Sequence, residues 1–353
     1  MKILLVEPRK SRKYHTPYPP VGLLKLSSFH KRRGDEVLFV RGLTYDGDAP
    51  DLIYITSLFT YAYEPVHEAI IYYANTFKKT RICVGGIYAS LCADNLKEIF
   101  GDRIEIFKGL LEETEDILPD YSLVPDWDTS IIVSTRGCIR KCSYCSVPLL
   151  EPVFSTKKTI KHLIYPTHKK ITLWDNNILA SDCWKDIFEE IRESKKHVDF
   201  NQGLDARLID ADVVEFLKSF KVSIIRMAYD TSTMKKHVKN AINLLKVSGI
   251  RTKNIMVYCL YNFNDSPFEF FERIRDLMGW GVVCYPMRYE PLKPIPKNSY
   301  VSPGWTVTDL EMVADARRVI GYGGAFIPHE GLKKKFYDAK TFSEAFSLRP
   351  IKS

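Results

Sequence analysis

The feature that most constrains the fold is a regular alternation of short apolar segments with amphipathic helical stretches, sustained along most of the chain. KILLVE, VLFVRG, DLIYITSLF, RICVGG and IEIFKG read as five strands. PPVGLLKLSSFHKRRGDE, PVHEAIIYYANTFKK and DNLKEIFGD read as the helices between them. Strands joined through helices run parallel, and the helices cover the sheet. Residues 1–117 are therefore expected to form a Rossmann-like or flavodoxin-like doubly wound sheet. Residues 118–130 carry two prolines, several acids and no apolar period, which reads as a linker. From residue 131 to 295 six further strands are expected, in TSIIVST, KITLWD, VDFNQG, VSIIRMAYD, NIMVYCLYN and GVVCYPMRYE, with helices between them. Six strand–helix units fall short of a closed eight-fold barrel, so a partial (β/α)6 TIM-type barrel is expected. Residues 296–353 read as a helical and loop extension. The fold class is α/β throughout.

The chemistry is concentrated in STRGCIRKCSYCSVP. Cys138, Cys142 and Cys145 are three of eight cysteines in 353 residues, and the other five are scattered. In a reducing compartment such a cluster points to a metal centre, while scattered cysteines behave as small buried hydrophobes. Thiolates suit iron–sulfur clusters and zinc. Structural zinc takes four ligands, and the nearest histidines, His162 and His168, are distant in sequence, so a closed zinc site is the weaker reading. Gly137 permits a sharp turn, and Arg136, Arg140 and Lys141 are expected to favour thiolates.

This loop resembles the signature of the radical SAM superfamily, Cys-x3-Cys-x-aromatic-Cys, with Tyr144 in the aromatic place, and the likeness extends over about residues 128–330. The resemblance implies one 4Fe–4S cluster held by Cys138, Cys142 and Cys145. Its open iron would bind S-adenosylmethionine (SAM), cleaved by one electron to a 5′-deoxyadenosyl radical. It also implies an electron donor such as flavodoxin or ferredoxin. Tyr144 would lie against the adenine, and Asp175, Asn176, Gln202 and Asp230, at strand ends, are candidate SAM contacts. Tyr229 and Asp230 stand where related enzymes often have glycine and glutamate. Asn177, Asn201, Asn262, Asn264, Arg288 and Glu290 sit at neighbouring strand ends, where rim hydrogen bonds are the competing role. In the tail, His329 and Glu330 are candidate substrate contacts in a segment, YGGAFIPHEG, that could close the barrel mouth.

PPVGLLKLSSFHKRRGDEV, ITSLFTYAYEPV and VGGIYAS are similar to cobalamin-binding domains fused to radical SAM barrels. On that likeness Ser57, Thr60, Gly85 and Gly86 are candidate cobalamin contacts. The Asp-x-His-x-x-Gly pattern that supplies a cobalt ligand in many cobalamin proteins is missing, and His15 and His67 lack its context. Three functions compete. The first is cobalamin-dependent methyl transfer to an unactivated carbon. The second is cobalamin-independent radical oxidoreduction or rearrangement. The third is a non-catalytic iron–sulfur or zinc protein that senses redox state or binds RNA. Methylthiotransferases place three cysteines in the first domain, where only Cys83 and Cys92 occur here.

The net charge is +8, with basic runs at Arg9–Lys13, Lys157–Lys158, Lys169–Lys170 and Lys333–Lys335. Such runs usually face solvent, and they also permit an anionic or macromolecular substrate. No signal peptide or membrane span is evident, so a cytoplasmic location is expected.

Overall fold

The computed structural model of the protein describes residues 1–8, 17–45 and 47–348. The basic run Arg9–Lys13 and His15 lie outside the described residues.

The first sheet contains β1 (Lys2–Glu7), β2 (Glu36–Arg41), β3 (Leu52–Ser57), β4 (Arg81–Gly86) and β5 (Glu105–Ile106). All five are parallel, in the order β2-β1-β3-β4-β5. Helix α1 (Val21–Arg32) packs Leu23 and Leu26 on one face, against Ile3, Leu5 and Leu52. Helices α2 (Tyr63–Thr76), α3 (Ile87–Leu91) and α4 (Ala93–Phe100) cover the other face. There the alternate residues Ile53, Ile55, Ile82 and Val84 meet Val66, Ile70, Tyr88 and Leu96. The strand period of two thus sends neighbouring residues to separate cores. The strand IEIFKG is shorter than its sequence pattern, because only Glu105 and Ile106 pair with β4.

Residues 118–130 are packed rather than loose. Tyr121 and Val124 are buried against Leu24 of α1, and Asp120 accepts hydrogen bonds from Ser27 and Lys31. They lead into β6 (Thr129–Ile132). A short antiparallel pair follows, β7 (Thr135–Arg136) with β8 (Ser155–Thr156), enclosing α5 (Val147–Leu150).

Two further parallel sheets complete the chain. β9 (Lys170–Leu173), β10 (His197–Phe200) and β11 (Lys221–Val222) join β6 in the order β11-β10-β9-β6. β12 (Ile225–Ala228), β13 (Ile255–Tyr261) and β14 (Val283–Arg288) form the second, in sequence order. The expected single strand VSIIRMAYD is therefore split. Its first part pairs with β10 and its second with β13. The seam is bridged by the Arg226–Asp199 ion pair and by the Leu204 amide, which donates to the Arg226 carbonyl at 2.8 Å.

The helices α6 (Trp184–Ser194), α7 (Ala211–Ser219), α8 (Lys235–Val247) and α9 (Pro267–Trp280) follow the strands in turn. They share one core with the two sheets. The tail helices α10 (Val307–Val319), α11 (Glu330–Asp338) and α12 (Phe342–Phe346) extend that core through Phe336, Phe342 and Phe346. Phe326 pairs with Cys284 at the start of β14, so YGGAF lengthens a sheet edge and does not close a mouth. No helix among the described residues is long and apolar enough to cross a membrane.

Candidate functional site

A cavity of about 1330 Å³ lies between the first sheet and the later strands, and Cys138, Cys142 and Cys145 all line it. The cysteine loop follows β7, beyond the carboxyl end of β6 in its parallel sheet. Gly137 has φ +72°, and a Cβ there would stand 2.5 Å from the Val153 carbonyl oxygen. The turn therefore requires glycine. The Gly137 amide donates to Glu151 at 2.7 Å.

Three buried or half-buried carboxylates fix this loop. Asp175 is fully enclosed. Its Oδ1 accepts from the Ser134 amide (2.9 Å) and hydroxyl (2.6 Å) and from the Thr135 amide (2.5 Å) and hydroxyl (2.8 Å). Burial pushes its carboxyl above the ordinary range. Glu151 accepts from Arg136, Gly137 and Asn176. Asp205 accepts from Arg140, Arg207 and Asn177. Burial alone would raise Asp205, but the bonds from Arg207 and Arg140 hold it below the ordinary range. Arg136 is clamped by both oxygens of Glu115, at 2.6 and 2.9 Å, and by Glu151 at 2.9 Å. The expected positive surround is thus corrected for two of its three members: Arg136 and Arg140 are paired with carboxylates and position the loop, while Lys141 lines the cavity.

The sulfurs meet N–H donors. Cys138 Sγ accepts from the Arg140 amide at 3.3 Å and from Asn177 Nδ2 at 3.6 Å. Cys145 Sγ accepts from the Val147 amide at 3.4 Å. N–H donors of this kind stabilise sulfur-borne negative charge. Among the described residues, no three histidine, cysteine or acidic side chains are gathered as a site for a metal ion. A polynuclear cluster asks for a different arrangement, one thiolate on each of three metals, and the donor set of this loop fits it.

The other sequence candidates divide. Tyr144, Asn176, Gln202 and Asp230 line the cavity. Tyr144 donates to Asp230 at 2.8 Å, Asp230 accepts the Leu260 amide at 3.1 Å, and the Tyr144 ring meets Phe263 edge-on. Burial pushes both the Tyr144 phenol and the Asp230 carboxyl up. Asp175 does not line the cavity, because the β6–β7 turn takes up its Oδ1. Among the candidates in the first sheet, Ser57 donates to the Gly85 carbonyl and Thr60 to the Pro291 carbonyl, and neither lines the cavity. Gly86 lines it, but its missing Cβ is required by the fold, since a Cβ would stand 2.0 Å from the Ser57 carbonyl oxygen. Gly85 lines it with no such requirement. His67 bonds the Tyr88 hydroxyl and packs on Phe100, away from the cavity.

Asn264 lines the cavity, whereas Asn262 binds the Tyr300 carbonyl and the Ser302 amide. Tyr229 donates to Asp276, and Asn201 to Tyr18. Arg288 and Glu290 hold the 298–300 loop. His329 caps α11, and Glu330 pairs with Lys333. Sequence reasoning missed Glu115, Glu151, Asp205, Arg207 and Lys25. Arg207 pairs with Asp205 two residues away, but the other contacts join residues 15 to 90 apart in sequence, so no local pattern marks them, although Glu151 in SVPLLEP lies near the cysteines.

No family model matches the chain, and no curated protein matches it. Among solved structures it is similar to coproporphyrinogen III oxidase (HemN) from Escherichia coli, described as a radical SAM enzyme, at 12% identity and a TM-score of 0.38. The likeness covers 58% of this chain and 57% of that chain, so this chain spans a little over half of the neighbour's length.

Proposed function

We propose that this chain is a radical SAM enzyme in which Cys138, Cys142 and Cys145 hold a single 4Fe–4S cluster and SAM binds beside it in the cavity. The observation that carries the reading is the loop itself. Three thiols with the signature spacing line one cavity, two of them receive N–H donors, and buried carboxylates fix the backbone around them. When bound, the cluster supplies the electron that opens a carbon–sulfur bond of SAM and so gives a carbon radical able to abstract hydrogen. The protein's part is placement. Asp175 and Glu151 hold the loop, Asn177 and the Arg140 amide bond Cys138, and Tyr144 with Asp230 forms a fixed wall for the nucleoside. Asn176, Gln202 and Arg207 offer polar contacts on the same cavity. We read the first sheet as flavodoxin-like and the later strands as a partial (β/α) barrel split at its fourth strand. The electron donor belongs to the flavodoxin or ferredoxin class, in a cytoplasm that keeps the thiols reduced.

The cavity is a poor fit to cobalamin. Ser57 and Thr60 are turned to carbonyls of the protein, Gly86 is a requirement of the fold, and no described histidine lines the cavity. We assign no step to a corrinoid. Anaerobic loading with iron and sulfide tests the proposal: about four irons per chain are expected, with an electron paramagnetic resonance signal that shifts when SAM is added. Clearly more iron would contradict a single cluster, and a signal blind to SAM would contradict the open iron. Stoichiometric corrinoid uptake by the same sample would restore the cobalamin function.

A further inference from the structure

The first sheet has one face only partly covered. Helix α1 reaches across β1 and β2 as far as Leu52. A helix after β5 would cover the rest of that face, as in other doubly wound sheets. Here the chain instead makes short 3-10 turns at Glu112–Thr114 and Tyr121–Leu123 and enters β6. The register aligns Tyr54 with Cys83 and Thr56 with Gly85, and all four side this face and line the cavity. Phe107 continues the row and is 38% exposed. This apolar arm is continuous with the space in front of the cysteine loop.

Two glycines border the arm without any internal reason to be glycine. At Gly85 φ is unexceptional, and the nearest atom to an added Cβ is Phe107 Cβ at 3.8 Å. At Gly22, in the first turn of α1, nothing lies within 4 Å. Glycine costs a helix stability relative to alanine, and here it leaves open space. The cavity also exceeds the roughly 300–1,000 Å³ typical of one small-ligand site, so it has room for a molecule besides SAM.

Two cations border this arm: Arg81, paired with Glu105 at its outer end, and Lys25 on the side of the cysteine loop. Lys25 of α1 lines the cavity with its side chain 11% exposed. An ammonium has three donors. One goes to the Glu115 carbonyl at 3.0 Å, and the Glu115 carboxylate stands 3.9 Å away, already clamped by Arg136. Arg136 is saturated by Glu115 and Glu151. An ammonium with donors to spare matches a monoanion, whereas a phosphate would call for several such cations on this arm.

We propose, resting on the radical reading above, that this arm is the substrate site and takes an amphipathic carboxylate, its head on Lys25 and its apolar body along Tyr54, Cys83 and Phe107. Lys25 joins through Glu115 to Arg136, two residues before Cys138. The polar end of the substrate therefore faces the cluster side of the cavity and the apolar end runs outward along the sheet.

The test uses the full chain, cluster-loaded and anaerobic, titrated with cis-parinaric acid, whose fluorescence rises in apolar surroundings, and with its uncharged methyl ester. Saturable binding of the acid is expected, with the ester at least roughly tenfold weaker. Lys25→Met should bring the acid to the level of the ester. Gly85→Leu should weaken both ligands about tenfold or more, and Gly22→Leu is a second blocking variant should Gly85→Leu misfold. Iron content and the response of the cluster signal to SAM are read on the same samples. The proposal is overturned if the folded, loaded protein binds no parinarate saturably, or if Lys25→Met and the blocking variants bind as tightly as the parent. Binding that follows the expected pattern in a protein that holds no cluster would sink the radical reading and leave the carboxylate site standing. A cluster that responds to SAM without parinarate binding would do the reverse.

Discussion

At the cysteine loop, two amides and two hydroxyls are tied to one buried carboxylate oxygen and a third amide to Glu151, and both flanking arginines are clamped. Along the open face of the first sheet the opposite holds. Glycines leave gaps, a phenylalanine is exposed, and an ammonium has donors to spare. Both regions border one cavity. On the proposed function, the difference separates two tasks. A radical-generating centre needs a fixed geometry, which buried, mutually satisfied polar groups provide. A substrate arm needs room, and room is made by withholding side chains.

The same kind of substitution in the two regions tests that contrast, and the largest effect is expected at Gly137. Gly137→Ala must relieve a 2.5 Å contact at φ +72°. We expect destabilisation of about 2–4 kcal/mol in urea unfolding, with loss of most bound iron. An unchanged midpoint would remove the claim that the loop is over-determined. Asp175→Ala comes next. It strips the acceptor from two amides and two hydroxyls, and a loss of about 2–4 kcal/mol is expected, with a broadened cluster signal. Asp175→Asn should recover part of it, since one oxygen remains.

The third effect is one of pH. Burial lowers the Lys25 ammonium to about 8, Glu115 and Asp116 oppose this, and Arg136 and Lys157 add to it. In the free protein Lys25 then loses its proton as pH rises through about 8, whereas an unfolded lysine keeps it to about 10.4. Parinarate affinity should fall as pH rises through this window, while the methyl ester stays level. The sign for folding is opposite: over the same window the cost of burying a charged Lys25 is relieved, so its contribution to stability rises with pH. Affinity of acid and ester that falls together above pH 8 would point away from Lys25.

The smallest effects belong to the open face. Gly85→Ala should change stability by less than about 0.5 kcal/mol, because the new methyl group meets only ordinary contacts. Glu105→Gln breaks an ion pair with Arg81 whose side chains are 61% and 55% exposed, and should cost no more than about 0.5 kcal/mol. A loss above 1 kcal/mol at Gly85 would mean that the face is packed more tightly than its gaps suggest.

Much of this was legible in the sequence. The alternation of strand and helix patterns placed the first five strands, because parallel strands buried on both sides read as continuous apolar runs. The cysteine spacing and Gly137 marked the loop, because the turn needs glycine and the ligands need adjacency. What was not legible depends on distance along the chain. The split of the fourth strand follows from pairing to β10 on one side and β13 on the other, which no local pattern encodes. Asp175 stands at a strand end as expected, yet its neighbours in space are Ser134 and Thr135, 41 and 40 residues earlier, which turn it to the loop. Gly85 and Gly86 look alike in sequence, and only the position of the Ser57 carbonyl separates the glycine that the fold needs from the one that it does not.

The central claim is that these three thiols hold a SAM-cleaving cluster, and product formation tests it most directly. The cluster-loaded protein, reduced with dithionite and given SAM, is predicted to release 5′-deoxyadenosine, and Cys138→Ala, Cys142→Ala and Cys145→Ala are each predicted to reduce that release to background. A fully loaded and reduced protein that releases none, or cysteine variants that release as much as the parent, would contradict it.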